Sequence, residues 1–140
     1  MSSTTEAINA QRIRIEPDHY DQFNIALAYR IGDLVVVSGQ AAIDENGGVV
    51  GVGDFDAQAA QVFANLKLVL EAAGSGMDKI VKVNIYLTDM SHFPKIVALR
   101  AKYFKQPWPA DTIVGVTALA LPELLIEIEA TALVNGKLVG

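Results

Sequence analysis

Two segments of strictly alternating apolar and polar residues limit most strongly what this chain can fold into. Successive side chains of a β-strand point to opposite faces, so segments 80–87 and 124–134 each predict a strand with one apolar face and one mixed face. Their mixed faces carry Lys82, Asn84, Tyr86, Glu127 and Glu129. Both strands must therefore bury one face against a packing layer and leave a partly charged face on the other side.

Two segments with helical periodicity are expected to form that packing layer. Apolar residues recur at three- and four-residue spacing over 54–73, where Asp54 can cap the start and Gly74 suits the left-handed position after the end. A second helix is predicted over 91–104, with Ser91 as its N-cap. Its inward stripe is expected to contain Phe93, Ile96, Val97, Arg100, Tyr103 and Phe104.

Shorter β-favouring runs complete the pattern. Residues 12–15 alternate, 25–37 predicts a hairpin around the two-residue turn Gly32-Asp33, and 112–117 predicts a strand. The order β-β-β-α-β-α-β-β predicts a single α+β domain over residues 1–140, with two helices on one face of the sheet. Residues 1–10 are polar and are expected to be frayed.

The composition of the helix-free face of this sheet suits neither solvent nor a core, and association with other copies of the chain would explain it. It would combine charged side chains with the valine run 35–37, so it is too apolar to be wholly solvated and too polar to be a core. Apolar residues make up 51% of a chain of 140 residues, which is more than a monomer of this size needs. We therefore expect this face to be a subunit interface with clefts at its edges.

Charge and composition exclude several classes of function. The formal net charge of −5 argues against a nucleic-acid binder, which normally carries a basic patch. The chain has no cysteine, and its only histidines are His19 and His92, so neither a thiolate chemistry nor a metal site is expected. Without a signal peptide or an apolar run of membrane-spanning length, we expect a cytoplasmic location and no membrane partner.

The carboxylates of Glu127 and Glu129 are the clearest candidates for chemistry. Residues two apart on one strand project from the same face, about 7 Å from each other. If that face is buried between subunits, the pKa of at least one carboxyl should be raised, which suits a general acid or base. The alternative is that both carboxylates pair with Lys82 or with basic groups of a neighbouring chain.

Three further positions allow both a functional and a structural interpretation. Ser38-Gly39 either ends a strand with backbone amides facing a cleft or forms a β-bulge. Trp108, between two prolines, either walls a pocket or plugs the end of the sheet. Arg100 needs a partner such as a carboxylate, or it marks an anion site.

Four segments together resemble the reactive-intermediate deaminase family, also called the Rid or YjgF-type family. They are 32–40, 69–74, 80–89 and Pro122 followed by 126–130, and their order extends the resemblance from about residue 25 to residue 134. The resemblance implies a chorismate-mutase-like fold with one mixed six-stranded sheet, a homotrimer, and small-molecule clefts between subunits. It also implies hydrolysis of reactive enamines and imines, with ammonia as a product and without a cofactor.

The same resemblance assigns roles to individual residues. Glu127 matches the family's water-orienting glutamate, and Ser38 and Gly39 match the lining of its cleft. The backbone at Gly39 and Ile113 would contact the substrate. Two positions depart from the deaminase pattern by losing polarity: Val97 stands where an asparagine is common, and Ile113 where a cysteine is frequent.

A third departure concerns how a substrate would be held. The deaminase branch binds its substrate carboxylate with an arginine that follows Pro-Ala, and here that position is Asp111. An aspartate would repel a carboxylate, so Asp111 is expected to hold a cationic substrate group or to pair with Arg100. The leading hypothesis is therefore a deaminase-like hydrolase for a small imine or enamine other than a simple 2-imino acid. Its rival is a non-catalytic trimeric ligand-binding or interaction protein on the same fold, whereas the ribonuclease activity sometimes attached to the family conflicts with the acidic charge.

Overall fold

The computed structural model describes residues 6–140 and contains one mixed six-stranded sheet with two helices. In chain order the elements are β1 (Ala10–Ile13), β2 (Ala28–Ile31), β3 (Leu34–Ala41), α1 (Phe55–Ala72), β4 (Ile80–Leu87), α2 (Phe93–Tyr103), β5 (Ala110–Gly115) and β6 (Ile126–Leu133). The spatial strand order is β1-β2-β3-β6-β4-β5. Strands β4 and β5 run parallel, and the other neighbouring pairs run antiparallel. The predicted α+β fold is confirmed.

The two helices pack on one face of this sheet, here called the helix face. Val83, Ile85 and Leu87 of β4 and the even-numbered residues 126–132 of β6 are buried there. Phe63 of α1 stacks on Tyr103 of α2 with ring centroids 4.0 Å apart, which joins the two helices. The opposite face, here called the open face, carries the partly buried polar side chains of β4 and β6 together with exposed apolar residues of β2 and β3.

The hairpin and the first helix form as their sequences predict. Ile31 pairs with Leu34 across the turn, and Gly32 has a φ of +59°, which a glycine adopts at little cost. The Asp54 carboxylate caps α1 by accepting a hydrogen bond from the Ala57 amide at 3.1 Å. All seven predicted inward positions of α1 are buried: Ala59, Val62, Phe63, Leu66, Val69, Leu70 and Ala73.

Strand β1 is shifted relative to its prediction. The predicted strand 12–15 is observed at Ala10–Ile13, because its partner β2 begins at Ala28, which pairs with Ile13. The first strand therefore includes Ala10, which lies within the segment expected to be frayed; residues 1–5 of that segment lie outside the described residues.

The second helix departs from its prediction at both its start and its buried face. A short 3-10 turn over Met90–His92 precedes α2, and Asp89 caps that turn by accepting from the Ser91 amide at 2.9 Å, so the prediction of Ser91 as N-cap is wrong. Ile96 is buried, but Val97 is 57% exposed. The inward stripe is thus narrower than predicted.

A buried amide connects α1 to the loop that precedes it and to the loop that precedes β6. The Gln58 side chain is fully buried and donates to the carbonyls of Gly51 and Glu123, at 3.1 and 2.8 Å. It also accepts from the Leu125 amide at 2.8 Å. This one side chain thus bonds to three backbone groups of two loops, and the Gly51 carbonyl also accepts from the Asp54 amide at 2.9 Å.

We predict that Gln58→Leu destabilises the fold by about 3 kcal/mol, because it removes three hydrogen bonds from a fully buried side chain to the backbone while keeping most of the side-chain volume. Chemical denaturation monitored by circular dichroism measures the change. Gln61→Leu, on a less buried position of the same helix, is the matched control and is expected to cost less than about 1 kcal/mol. Equal losses in the two variants would contradict the role of the Gln58 amide.

Candidate functional site

A bulge in β3 shapes the floor of the candidate site. Val37 pairs with Ala130 and Gln40 pairs with Ile128, so Ser38 and Gly39 together face the single residue Glu129. The Ser38 hydroxyl donates back to the Ala26 carbonyl at 2.6 Å. The β-bulge interpretation of Ser38-Gly39 is therefore correct, and the bulge also lines a cavity.

Tyr20 fixes this bulge from outside the sheet. Its hydroxyl donates to the Gly39 carbonyl at 2.5 Å and accepts from the Ala41 amide at 2.9 Å. Burial raises the pKa of the Tyr20 phenol well above its ordinary value, so the hydroxyl keeps its proton and can serve both bonds. The sequence gives no spacing signal for this residue, which lies in an irregular segment.

Glu127 lies on the open face directly against the bulge. A Cβ atom built on Gly39 would lie only 2.8 Å from Cδ of Glu127, so a side chain at position 39 would displace the carboxyl group from this place. Burial raises the pKa of the Glu127 carboxyl, and the nearby charge of Glu129 raises it further. Within residues 6–140, Asn84 and Tyr86 donate to Glu129, and no group donates to the Glu127 carboxylate.

Glu129 is held differently from Glu127. Its carboxylate accepts from the Asn84 amide at 3.0 Å and from the Tyr86 hydroxyl. The bond to Glu129 raises the pKa of the Tyr86 phenol. Lys82 donates instead to the Thr112 hydroxyl at 2.6 Å, so the alternative in which Lys82 pairs with both glutamates is wrong. The two carboxylates thus divide into one fixed by donors and one available to a small molecule.

Glu127 forms part of the wall of an apolar cavity of about 640 Å³, here called the carboxylate cavity. Its lining includes Tyr20, Ile25, Ser38, Gly39, Leu124 and Glu127. Among the predicted site residues, the structure therefore brings together Ser38, Gly39 and Glu127. A half-buried carboxylate in an apolar cavity can accept a proton from a water molecule and deliver it to a neighbouring atom.

Asp111 and Ile113 of β5 lie on the other face of the sheet from the carboxylate cavity. In the parallel β4–β5 pair they oppose Val83 and Ile85, so they project to the helix face, whereas Glu127 projects to the open face. Ile113 packs against the core. The chain by itself does not place these two side chains in the carboxylate cavity.

Asp111 forms a bidentate ion pair with Arg100. The guanidinium donates from Nε to Oδ2 at 2.8 Å and from Nη2 to Oδ1 at 3.0 Å. Of the two expected partners for Asp111, a cationic substrate group or Arg100, the structure shows Arg100. The pair lines a second cavity of about 430 Å³, here called the α2 cavity, together with Val97, Ala101, Phe104, Trp108 and Pro109. Trp108 is 47% exposed on its wall, so of its two interpretations the structure agrees with the pocket wall and not with the plug.

The histidines take structural positions. His19 is buried, and its Nε2 lies 2.9 Å from the Gln40 side-chain oxygen. His92 stacks on Phe55 with ring centroids 4.2 Å apart. In the part of the chain from residue 6 onward, no three histidine, aspartate or glutamate side chains are grouped to hold a metal ion, and no helix of that part has the length and apolar character to cross a membrane.

Comparisons with known proteins agree on one family. The model of the family described as Endoribonuclease L-PSP matches residues 15–134. A RutC family protein of Pyrococcus horikoshii is 40% identical over 105 residues, which are 75% of this chain and 82% of that protein. The 2-iminobutanoate/2-iminopropanoate deaminase of Dermatophagoides farinae is 34% identical over 77% of this chain and 84% of its own. The crystal structure of the Rid family protein YyfA of Yersinia pestis superimposes with a TM-score of 0.82 at 31% identity, covering 89% of this chain and 99% of that one.

The raised pKa of the Glu127 carboxyl predicts how the stability of the fold depends on pH. The folded chain retains this proton at pH values where the unfolded chain has lost it, so the stabilisation is fully present below the ordinary glutamate pKa of 4.5 and is lost as the pH rises through the higher folded value. Glu127→Gln removes the titration. We expect the free energy of unfolding of Glu127→Gln, measured relative to that of wild type, to be higher at about pH 7.5 than at about pH 4.

Urea denaturation at both pH values, at one protein concentration, measures this trend. Glu123→Gln is the control, since it removes the same charge from an exposed position. If the difference between Glu127→Gln and wild type is the same at both pH values, burial does not perturb the Glu127 carboxyl as described.

Proposed function

Because this chain belongs to the Endoribonuclease L-PSP family, the Rid family that its sequence resembles, we propose that it is a deaminase-like hydrolase acting on a small reactive imine or enamine. Glu127 is the proposed catalytic residue. The observation that carries the proposal is its half-buried carboxylate, which lies against Gly39 in an apolar cavity with a raised pKa.

The proposed reaction needs only water and proton transfer. Glu127 accepts a proton from a water molecule as the water oxygen bonds to the imine carbon, and it returns this proton to the imine nitrogen. The hydroxyl proton of the resulting carbinolamine then passes to the amino nitrogen as the C–N bond breaks, so ammonia leaves and a carbonyl compound remains. A carboxyl with a raised pKa accepts a proton more readily than an ordinary glutamate and can return it. We expect no metal or organic cofactor.

The cleft is proposed to form between chains of a homotrimer. Tyr29, Ile31, Leu34 and Val36 are each about 40% exposed on the open face, beside the carboxylate cavity. Contiguous exposed apolar residues of this kind mark interaction surfaces. In a closed ring, one chain would present Glu127, Ser38 and Gly39, and its neighbour would present Asp111 and the backbone at Ile113.

The Arg100–Asp111 pair limits the kind of substrate that this site can bind. A bidentate partner neutralises the guanidinium, so no uncompensated positive charge is available at this position for a substrate carboxylate. We therefore propose a substrate other than a simple 2-imino acid. Nucleic acid is not proposed as a partner, because the formal net charge is −5. A cytoplasmic location remains a prediction.

We expect wild-type protein to accelerate the hydrolysis of 2-iminopropanoate only slightly. The imine is generated in solution by an amino-acid oxidase, and its loss is followed by semicarbazone formation. Asp111→Arg should raise the rate at least tenfold, because two guanidinium groups then face the substrate carboxylate. Adding Glu127→Gln to that variant should return the rate to background, while Asp56→Arg, at an exposed ion pair with Lys95, is the control.

A wild-type rate equal to that of an arginine-bearing relative would contradict the role given to Asp111. Background rates for wild type and Asp111→Arg alike, on 2-iminopropanoate and on neutral imines, would instead favour the non-catalytic ligand-binding alternative.

For the assembly, we predict a wild-type particle of three chains of 15.0 kDa each in sedimentation equilibrium. Val36→Lys should shift the protein toward the single chain, because it places a charge in the covered apolar surface. Leu68→Lys is the control, since Leu68 is 51% exposed, against 41% for Val36, but lies on α1, away from the open face. A wild-type monomer at micromolar concentration would overturn the trimer proposal.

A further inference from the structure

The carboxylate cavity offers a ligand hydrogen-bond acceptors but no side-chain donor. The hydroxyls of Ser38 and Tyr20 already donate to backbone carbonyls, at 2.6 and 2.5 Å. Since a hydroxyl has a single proton, neither has one left for a ligand. Among the described residues of the lining, Glu127 and Glu129 are acidic, and none is a lysine or an arginine. An anionic group in this cavity would therefore face two carboxylates and no side-chain donor.

The basic side chains nearby do not reverse this acidic character. Lys82 lies on the open face, but it donates to the Thr112 hydroxyl and lines a different cavity. Arg100, which a neighbouring chain would present in the proposed trimer, is neutralised by its bidentate bond to Asp111. The charge that a bound molecule would meet is thus negative, and a negative cleft favours a cation.

The rest of the lining is mostly apolar. Phe23 and Ile25, from the segment before β2, are 41% and 44% exposed, and Leu121 comes from the segment before β6. The cavity volume of about 640 Å³ equals that of about twenty molecules of liquid water, at about 30 Å³ each. A three-carbon imine would occupy only a small part of it. Apolar substituents that cover these side chains gain binding free energy in proportion to the area they bury.

We propose that the carboxylate cavity binds the protonated imine of an apolar aldehyde or ketone. The substrate is then an iminium ion that has no carboxylate and has an apolar substituent larger than methyl. This inference rests on the proposed hydrolysis and names its substrate class. The iminium nitrogen lies beside Glu127, and the substituent packs against Phe23, Ile25 and Leu121.

A positive charge on the substrate suits the proposed chemistry. A cation beside Glu127 opposes the rise in the pKa of its carboxyl that burial causes, so the carboxylate stays ionised and can act as a base. It accepts a proton from water as the water oxygen bonds to the iminium carbon, and it returns this proton to the nitrogen. The hydroxyl proton follows as the C–N bond breaks. The iminium ion and water thus give the aldehyde or ketone and an ammonium ion.

Three planar ligands allow a binding test without turnover. Benzamidinium, benzamide and benzoate have the same ring but a positive, a neutral and a negative head group, and the amidinium retains the planar C=N–H of a protonated imine. Each is titrated at neutral pH into ¹⁵N-labelled protein, and the backbone amide signals of Ser38, Gly39 and Ala41 are followed. We expect benzamidinium to bind with a dissociation constant at least about tenfold lower than that of benzoate. Acetamidinium, which lacks the ring, should bind at least about tenfold more weakly than benzamidinium.

Matched variants separate the charged part of the site from the apolar part. Glu127→Gln should weaken benzamidinium at least about tenfold and change the affinity for benzamide by less than about twofold. Glu123→Gln, at an exposed position, is its control. Ile25→Ser should weaken benzamidinium and benzamide by the same factor, at least about threefold, because it removes apolar contact area. Leu68→Ser, at a position 51% exposed on α1, is the second control.

Four results for the wild-type protein would overturn the inference: benzoate binding as tightly as benzamidinium, acetamidinium binding as tightly as benzamidinium, shifts confined to residues outside the carboxylate cavity, or no shift with any compound. An amidinium preference in a protein that hydrolyses no imine would refute the proposed function alone. Imine hydrolysis by a protein that prefers benzoate would refute only the substrate class.

Discussion

The alternation of side chains along β5 and β6 is the constraint on which the rest of this structure depends. The register of the sheet sends Glu127 to the open face and Asp111 to the helix face, with β4 between them. Since successive side chains point to opposite faces, no local adjustment within one chain can bring these two groups together. Each chain thus holds two half-sites, the carboxylate cavity and the α2 cavity, and a complete site as we propose it requires a second copy.

The chemistry of the first half-site comes from a glycine and a tyrosine. Gly39 lets the Glu127 carboxyl approach the backbone of the bulge, and Tyr20 binds the Gly39 carbonyl and the Ala41 amide on the other side. Tyr20 thereby pairs two backbone groups of the bulge, whereas no donor within residues 6–140 pairs with the partly desolvated carboxyl of Glu127. Desolvation without compensation is what raises the pKa of a carboxyl and makes it useful in proton transfer.

The features that sequence periodicity predicted correctly are those that depend on residues close together in the sequence. The buried face of α1, the Gly32-Asp33 turn and the face shared by Glu127 and Glu129 depend on residues close in sequence, and all three are confirmed. The role of Tyr20 depends on how an irregular segment folds back over the bulge, which has no periodic signal. The exposure of Val97 likewise could not be predicted, because α2 lies near the edge strand β5, where little of the sheet remains to bury the apolar stripe of the helix.

The most direct test of the shared site is a mixture of two inactive chains. Wild type supplies Glu127, and the double variant Asp111→Arg, Glu127→Gln supplies the arginine. After the two are unfolded together in equal amounts and refolded, about a quarter of the sites should combine an intact Glu127 with an arginine from the neighbour. The account predicts that hydrolysis of 2-iminopropanoate appears in the mixture at about a quarter of the rate of Asp111→Arg alone. A mixture as inactive as its two components, while Asp111→Arg alone is active, would show that the site is not shared between chains.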